Sequence, residues 1–197
     1  HPENIGAFNG RASITKKNIS LNIDYAYKIN DPSADNNYIY KNGKALIITG
    51  NYSTKGFGIS LGAKQLENMS FRSERNAILQ DLNINFITPF TKQQSYSLAT
   101  IYPYSSQPNG EIGTQIDVYY TIPKKSKFGG KYGTSININF SNVFDINREP
   151  IQNNSTINES GTLGYNSNYL QLDEKLFQEL NIEITKKINR KLKLITS

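Results

Sequence analysis

Between positions 19 and 29 the side chains alternate without a break. Ile19, Leu21, Ile23, Tyr25, Tyr27 and Ile29 hold the odd positions, and Ser20, Asn22, Asp24, Ala26 and Lys28 the even ones. Successive side chains of a β-strand point to opposite faces, so this stretch makes a strand with one apolar and one polar face. A helix would scatter the same apolar residues around its circumference. The feature therefore commits this part of the chain to β-structure and asks that the two faces of the sheet meet different surroundings.

The pattern recurs. Phe8, Gly10, Ala12 and Ile14 alternate with polar residues over 7–15, and Leu46, Ile48 and Tyr52 share a face over 44–52. Comparable alternation is found over 57–66, 81–88, 94–102, 111–122, 133–143 and 174–185, and Leu192 and Leu194 begin a last strand. Read by the alternation rule, the chain is all-β, an antiparallel up-and-down meander of about ten strands. Leu172, Leu176, Leu180 and Ile184 also fit a helical spacing, but the β-branched alternation of 181–185 favours strand from Leu176 onward. Residues 73–79 offer a second helical possibility within a loop.

The expected connections are short at 16–18, 53–56, 89–93 and 186–189, long at 30–43, 67–80 and 144–168, and intermediate at 103–110 and 123–132. Successive connections of a meander lie at opposite ends of the strands, so short turns share one rim and long loops the other. That is the layout of an outer-membrane barrel. The expected strands run nine to twelve residues. Soluble strands usually run about five or six, whereas a tilted membrane-spanning strand needs about 9–11. Tyr27, Tyr52, Tyr102 and Tyr120 sit toward strand ends, where an aromatic girdle meets a membrane interface. Asp24, Glu111, Asp117, Glu179 and Glu183 share the polar faces with Arg11, Lys28 and Lys64, which suits an ion-paired lumen. The alternative is a soluble secreted β-sandwich acting as a binding module, with two apolar faces packed together.

Composition narrows the chemistry. The chain has no cysteine, a single histidine at His1 and 37% hydrophobic residues. No thiol chemistry is available, and a histidine-based nucleophilic or metal site is hard to assemble. The expectation is a non-enzymatic protein with no cofactor and no metal. No segment approaches the roughly 20 apolar residues of a spanning helix. His1-Pro2-Glu3-Asn4 lacks the features of a signal peptide, and both ends look like cuts, so residues 1–197 read as one segment of a larger barrel. The net charge is +6. Its placement points away from nucleic acid. Lys16, Lys17, Lys124, Lys125, Lys127, Lys131, Lys186 and Lys187 fall on the short-turn side, with Lys55, Lys92, Arg190 and Lys191. Asp31, Asp35, Glu67, Glu74, Asp145, Glu149 and Glu159 fall on the other. This fits a basic periplasmic rim that meets anionic lipid headgroups or an acidic periplasmic partner, and equally a set of lysines and asparagines that simply make soluble tight turns.

Four pieces, in order, carry a family resemblance. They are Gln65-Leu66-Glu67-Asn68-Met69-Ser70-Phe71-Arg72-Ser73-Glu74-Arg75, the run from Thr88-Pro89-Phe90 to Leu98, Gly110-Glu111-Ile112-Gly113, and Gly129-Gly130-Lys131-Tyr132-Gly133-Thr134. Together they resemble an uncharacterised outer-membrane β-barrel family of Bacteroidota, a domain of unknown function. The resemblance implies a longer barrel in the outer membrane and brings no catalytic residue with it. Within it, Glu67, Asn68, Met69, Phe71, Arg72 and Arg75 form a candidate outer-loop site. The competing structural reading is a loop folded into the barrel mouth, with Phe71 as its plug and the charges paired, and mixed signs favour it. The glycines of 128–133 suit a turn needing positive φ better than a phosphate cradle. The expected role is a pore or a scaffold of a surface or secretion complex, with membrane lipid and other outer-membrane or periplasmic proteins as partners.

Overall fold

The computed structural model describes residues 4–77, 81–92 and 104–197. Among them, eight strands join one antiparallel sheet in sequence order. These are β1 (Ala7–Lys16), β2 (Ile19–Lys28), β3 (Gly43–Thr54), β4 (Phe57–Glu67), β5 (Gly110–Ile122), β6 (Thr134–Glu149), β7 (Asn166–Lys187) and β8 (Lys193–Thr196). β1 and β8 end that order without pairing to each other, so the described sheet is open. A single 3-10 turn, Ala34–Asn36, is the one helical element among the described residues. The meander expected from the alternation is present; closure into a barrel is not seen.

Register keeps like with like. Tyr25 lies opposite Leu46 and Ile23 opposite Ile48. Leu61 faces Ile116, Val118 faces Ile138, and Ile138 faces Ile182. Because the side-chain period is two, these pairings run one apolar face across the sheet and gather the polar residues on the other. Burial then runs opposite to that of a water-soluble sheet. Along β2 each of Ile19, Leu21, Ile23 and Tyr25 is exposed, and each of Ser20, Asn22 and Asp24 is partly covered. On β6, Asn139 and Ser141 are fully buried while Ile138 is 37% exposed. The buried apolar cluster is small (Ile39, Ile112, Ile146 and Tyr165) and sits where the long loops meet the sheet.

The connections alternate as expected. Residues 17–18 and 55–56 make two tight turns, with positive φ at Lys17 (54°) and Gly56 (79°). Residues 123–133 and 188–192 lie on the same rim, and 29–42, 150–165 and the described residues that follow β4 and precede β5 lie at the other end. The intermediate connection at 123–133 uses positive φ at Lys125, Gly130 and Gly133, as a turn reading requires.

Four sequence expectations are corrected. Residues 81–88 are not a strand: Leu82 adopts a positive φ of 53°, and the segment makes one isolated bridge, Arg72 with Asn83. Its apolar residues therefore find no ladder, and Phe86 is 85% exposed. The helical possibility at 73–79 gives only bends and turns over 73–77. Lys92, placed on the short-turn rim by the ten-strand count, lies in the long 68–109 connection instead. The expected strand at 94–102, with Tyr102, lies outside the described residues. β4 and β5 pair directly and antiparallel, so the parity of all later connections is unchanged and the other lysines named stay at one end of the sheet. The 174–185 expectation was too short; β7 runs from Asn166, bulged against β6 beyond Val143.

Gly43, at the start of β3, packs so closely that a Cβ there would be driven into the Asn68 carbonyl oxygen, with Met69 Sδ at 3.0 Å. Gly43→Ala is expected to lower the unfolding midpoint, at a cost of about 1–3 kcal/mol. Gly10→Ala on β1, where nothing lies within 4 Å, is expected to stay within about 0.5 kcal/mol of wild type. Parallel denaturation curves compare the two.

Candidate functional site

At the long-loop end a polar knot joins the connections to the sheet. Asn68 follows β4 directly with φ of 48°, a left-handed conformation that asparagine tolerates better than most residues. Its Nδ2 donates to the Lys41 carbonyl at 2.5 Å, and its Oδ1 accepts from Asn36 Nδ2 at 2.9 Å. The Glu67 carboxylate pairs with the Lys41 ammonium at 3.1 Å and accepts from the Ser167 hydroxyl. Met69 is buried, and its backbone N–H donates to the Pro108 carbonyl at 2.7 Å. Arg72 is buried, pairs with Asp35 at 3.1 Å and donates to the Asp81 carbonyl at 2.7 Å. The Lys28 ammonium lies 5.7 Å from the Phe71 ring centroid. Arg75 enters through its carbonyl, which accepts from the Ala34 N–H at 2.8 Å. Of the six residues singled out from sequence, Glu67 and Arg72 are ion-paired, Asn68 and Met69 are tied into the loop by hydrogen bonds, Phe71 lies by Lys28, and Arg75 takes part through its carbonyl.

A second anchor lies on the polar face of the sheet. Lys64 of β4 and Glu111 of β5 are both fully covered and pair at 2.5 Å. Lys64 Nζ also donates to the Thr88 carbonyl at 2.9 Å and to Ser106 Oγ at 2.7 Å. Glu111 Oε2 accepts from Tyr104 Oη at 2.6 Å and from the Gln107 N–H at 2.7 Å. The Phe90 ring lies over Gly62, where a Cβ would meet it at 3.0 Å. One ion pair thereby fastens both flanks of the long connection, 81–92 and 104–109, onto the polar face. Of the ion pairing expected between the strand acids and Arg11, Lys28 and Lys64, Arg11–Asp24 and Lys64–Glu111 are present. Lys28 pairs instead with Asp31 at 3.4 Å, and Asp117 is met by the amides of Asn139 and Gln115 at 2.7 and 3.1 Å. Burial, reinforced by the Glu111 carboxylate, pushes the Tyr104 phenol well above the ordinary tyrosine range. Burial next to Glu67 does the same to Tyr165. Both phenols are held in their neutral, donating form.

Beside this anchor lies a cleft of about 870 Å³, lined by Asp35, Arg72, Asn83, Asn85, Phe86, Tyr104, Ser105 and Asn109 among others. It offers amides, hydroxyls and a guanidinium already committed to Asp35. Among the described residues no group of three histidine, cysteine or acidic side chains is placed to hold a metal ion.

The basic rim forms at the opposite end. Lys16 and Lys17 stand at the β1–β2 turn, Lys124, Lys125, Lys127 and Lys131 in the β5–β6 connection, and Lys186 and Lys187 at the end of β7. The Lys131 and Lys187 ammonium groups approach the Tyr132 ring to 5.8 and 5.6 Å, which draws two of these groups together. Sequence reasoning missed Lys41, Tyr104, Asn109 and Tyr165. Lys41 lies 4.3 Å from the Tyr165 ring centroid across a gap of more than a hundred residues in sequence. No local pattern marks such a partnership.

Glu111→Gln leaves Lys64 buried without its counter-ion and is expected to cost about 3–5 kcal/mol. Protease cleavage within 81–92 should rise in parallel. Adding Lys64→Met should recover most of the loss, because the introduced glutamine amide still accepts from Tyr104. Wild-type stability of the single variant would show that the pair anchors nothing. In an alkaline absorbance titration, part of the phenol signal should lag behind the ordinary range near 10. Tyr104→Phe and Tyr165→Phe should each remove part of that lagging fraction.

No curated protein and no solved structure matches the chain at a significant level. Over residues 1–197 it matches the family described as "Family of unknown function (DUF6029)", and the chain belongs to that family.

Proposed function

We propose that this chain is a stretch of wall of a transmembrane β-barrel in the outer membrane of a bacterium of the Bacteroidota. Its role is non-enzymatic, as a pore or as the scaffold of a surface or secretion complex. The reading rests on one observation: the apolar face of the sheet is the exposed one. Leu61 is 48% exposed, and Ile116, Leu180 and Ile182 share its face. In water such a surface would be costly, at about 25 cal/mol for each Å² of apolar area left uncovered. Against lipid it is the natural outer wall, because a membrane barrel turns apolar side chains outward and polar ones inward. A soluble sandwich would need a second layer over that face, and all the described strands belong to one sheet. The resemblance to an outer-membrane family and the alternation of short and long connections support the same reading. The plugged polar face favours a restricted pore or a scaffold over a wide channel.

Membrane fractionation tests the proposal. The protein is expected in the outer-membrane fraction and to need detergent for extraction; recovery as a soluble protein without detergent would overturn it. Leu61→Arg places a charge near the middle of the apolar face. It is expected to cost about 2–4 kcal/mol of stability in bilayers, as for an arginine on a lipid-facing midplane. A change within about 0.5 kcal/mol, as for an ordinary surface substitution, would argue against lipid contact there.

A further inference from the structure

The apolar face and the basic rim meet at one spot. Beside the β1–β2 turn lies a groove of about 550 Å³, lined by Ile14, Ile19, Leu21 and Tyr52 and edged by Lys16 and Lys17. Gly50 stands opposite Leu21 in the β2–β3 ladder and adds no side chain. Ile14 and Ile19 are 66% and 58% exposed. The four connections on this rim, 17–18, 55–56, 123–133 and 188–192, carry eight lysines and arginines and no acidic residue. We infer that this groove seats an anionic glycerophospholipid, its acyl chain lying along Ile14, Ile19, Leu21 and Tyr52 and its phosphate held by Lys16 and Lys17.

The inference rests on the proposed membrane location and names a ligand for one part of that wall. An acyl chain beside a negative headgroup is the amphiphile that an apolar channel with two cations at its mouth fits. An acidic protein or peptide would use the lysines and leave the channel unexplained. Lysine stems can lie along the apolar wall while their ammonium groups reach the headgroup level. Tyr52 stands where aromatic side chains favour the interface. The turn itself sets the spacing, since Lys17 holds a left-handed φ of 54° that turns its backbone at the groove mouth.

The test uses the protein reconstituted in phosphatidylcholine vesicles, with and without an equal amount of phosphatidylglycerol, and counts the retained lipid by native mass spectrometry after extraction. The pair K16Q and K17N removes both charges while asparagine keeps the left-handed turn. The control pair K124Q and K125N does the same in the β5–β6 connection, where Lys125 also has a positive φ of 64°. Wild type is expected to retain phosphatidylglycerol selectively. The first pair should lower that retention by about tenfold or more, given the pull of each basic residue near an anionic surface, and the control pair should lower it much less. Leu21→Ser, with both lysines in place, should lower it as well. Equal losses from the two lysine pairs would replace the site by a diffuse charge effect and overturn the inference. So would unchanged lipid retention with a loss of polyglutamate binding, which would assign the lysines to an acidic protein. Insertion into both vesicle types with no preference sinks the lipid site alone; failure to insert into either sinks the membrane reading with it.

Discussion

A side-chain period of two gives a strand no intermediate choice: a shift of one residue sends every apolar group to the other face. In this sheet that rule is applied seven times over, once for each ladder from β1 to β8. The six ladders from β1 to β7 place apolar opposite apolar, so those strands agree on which side is which, whereas the short β7–β8 ladder sets Ile184 opposite Thr196 and Leu194 opposite Lys186. No described strand lies outside the sheet to cover the apolar side. The polar side is where the chain folds back on itself. The usual inside and outside of a small protein are therefore exchanged, and every other feature of the molecule is arranged around that exchange.

The exchange changes what holds the fold together. A buried polar face cannot rely on apolar contact, so each group on it needs a partner. Lys64 and Glu111 answer this with an ion pair whose remaining hydrogen-bonding capacity is taken up by Thr88, Ser106, Tyr104 and Gln107. A buried pair stabilises little against an apolar substitute, but it is selective about what it accepts. Here it accepts the two flanks of one long connection. The loop-end knot of Glu67, Asn68, Lys41 and Arg72 works in the same way, with the carboxylates of Glu67 and Asp35 and the carbonyls of Lys41 and Asp81 among its acceptors. The small cluster of Ile39, Ile112, Ile146 and Tyr165 adds apolar contact at that end, where Leu66 and Met69 are also buried.

Strand identity was legible wherever alternation ran long. β2 could be read from eleven consecutive residues, and its burial follows the same odd and even positions. It failed at 81–88, where Leu82, Ile84 and Phe86 show the same period. Alternation states which face a side chain would take, not whether a neighbouring strand exists to pair with it. There the backbone turns at Leu82 and bridges back to Arg72 instead. The rims were legible because they depend only on the parity of connections, and the direct antiparallel pairing of β4 with β5 preserves that parity across the long loop. Asn68 was legible as part of a distinctive run, but its role was not. It acts through Asn36 and Lys41, which nothing near it in sequence announces.

Parity also explains why the two ends of the sheet differ in kind. At the long-loop end acidic and basic residues are mixed, and they are consumed in contacts such as Arg72–Asp35 and Lys41–Glu67. Internal pairing there stabilises the loops and leaves little net charge for anything outside. At the short-turn end the connections carry no acidic residue, so their lysines lack neighbours of opposite charge there. A cationic edge on a sheet whose adjoining face is apolar has two complementary needs, negative charge and hydrocarbon. Each could be met separately by water with counter-ions and by a partner protein. At the β1–β2 turn the two needs lie side by side, and a single amphiphile meets both. The asymmetry of the ends therefore lies in the charges their connections carry: the long connections satisfy theirs internally, and the short-turn end presents its own to the surroundings.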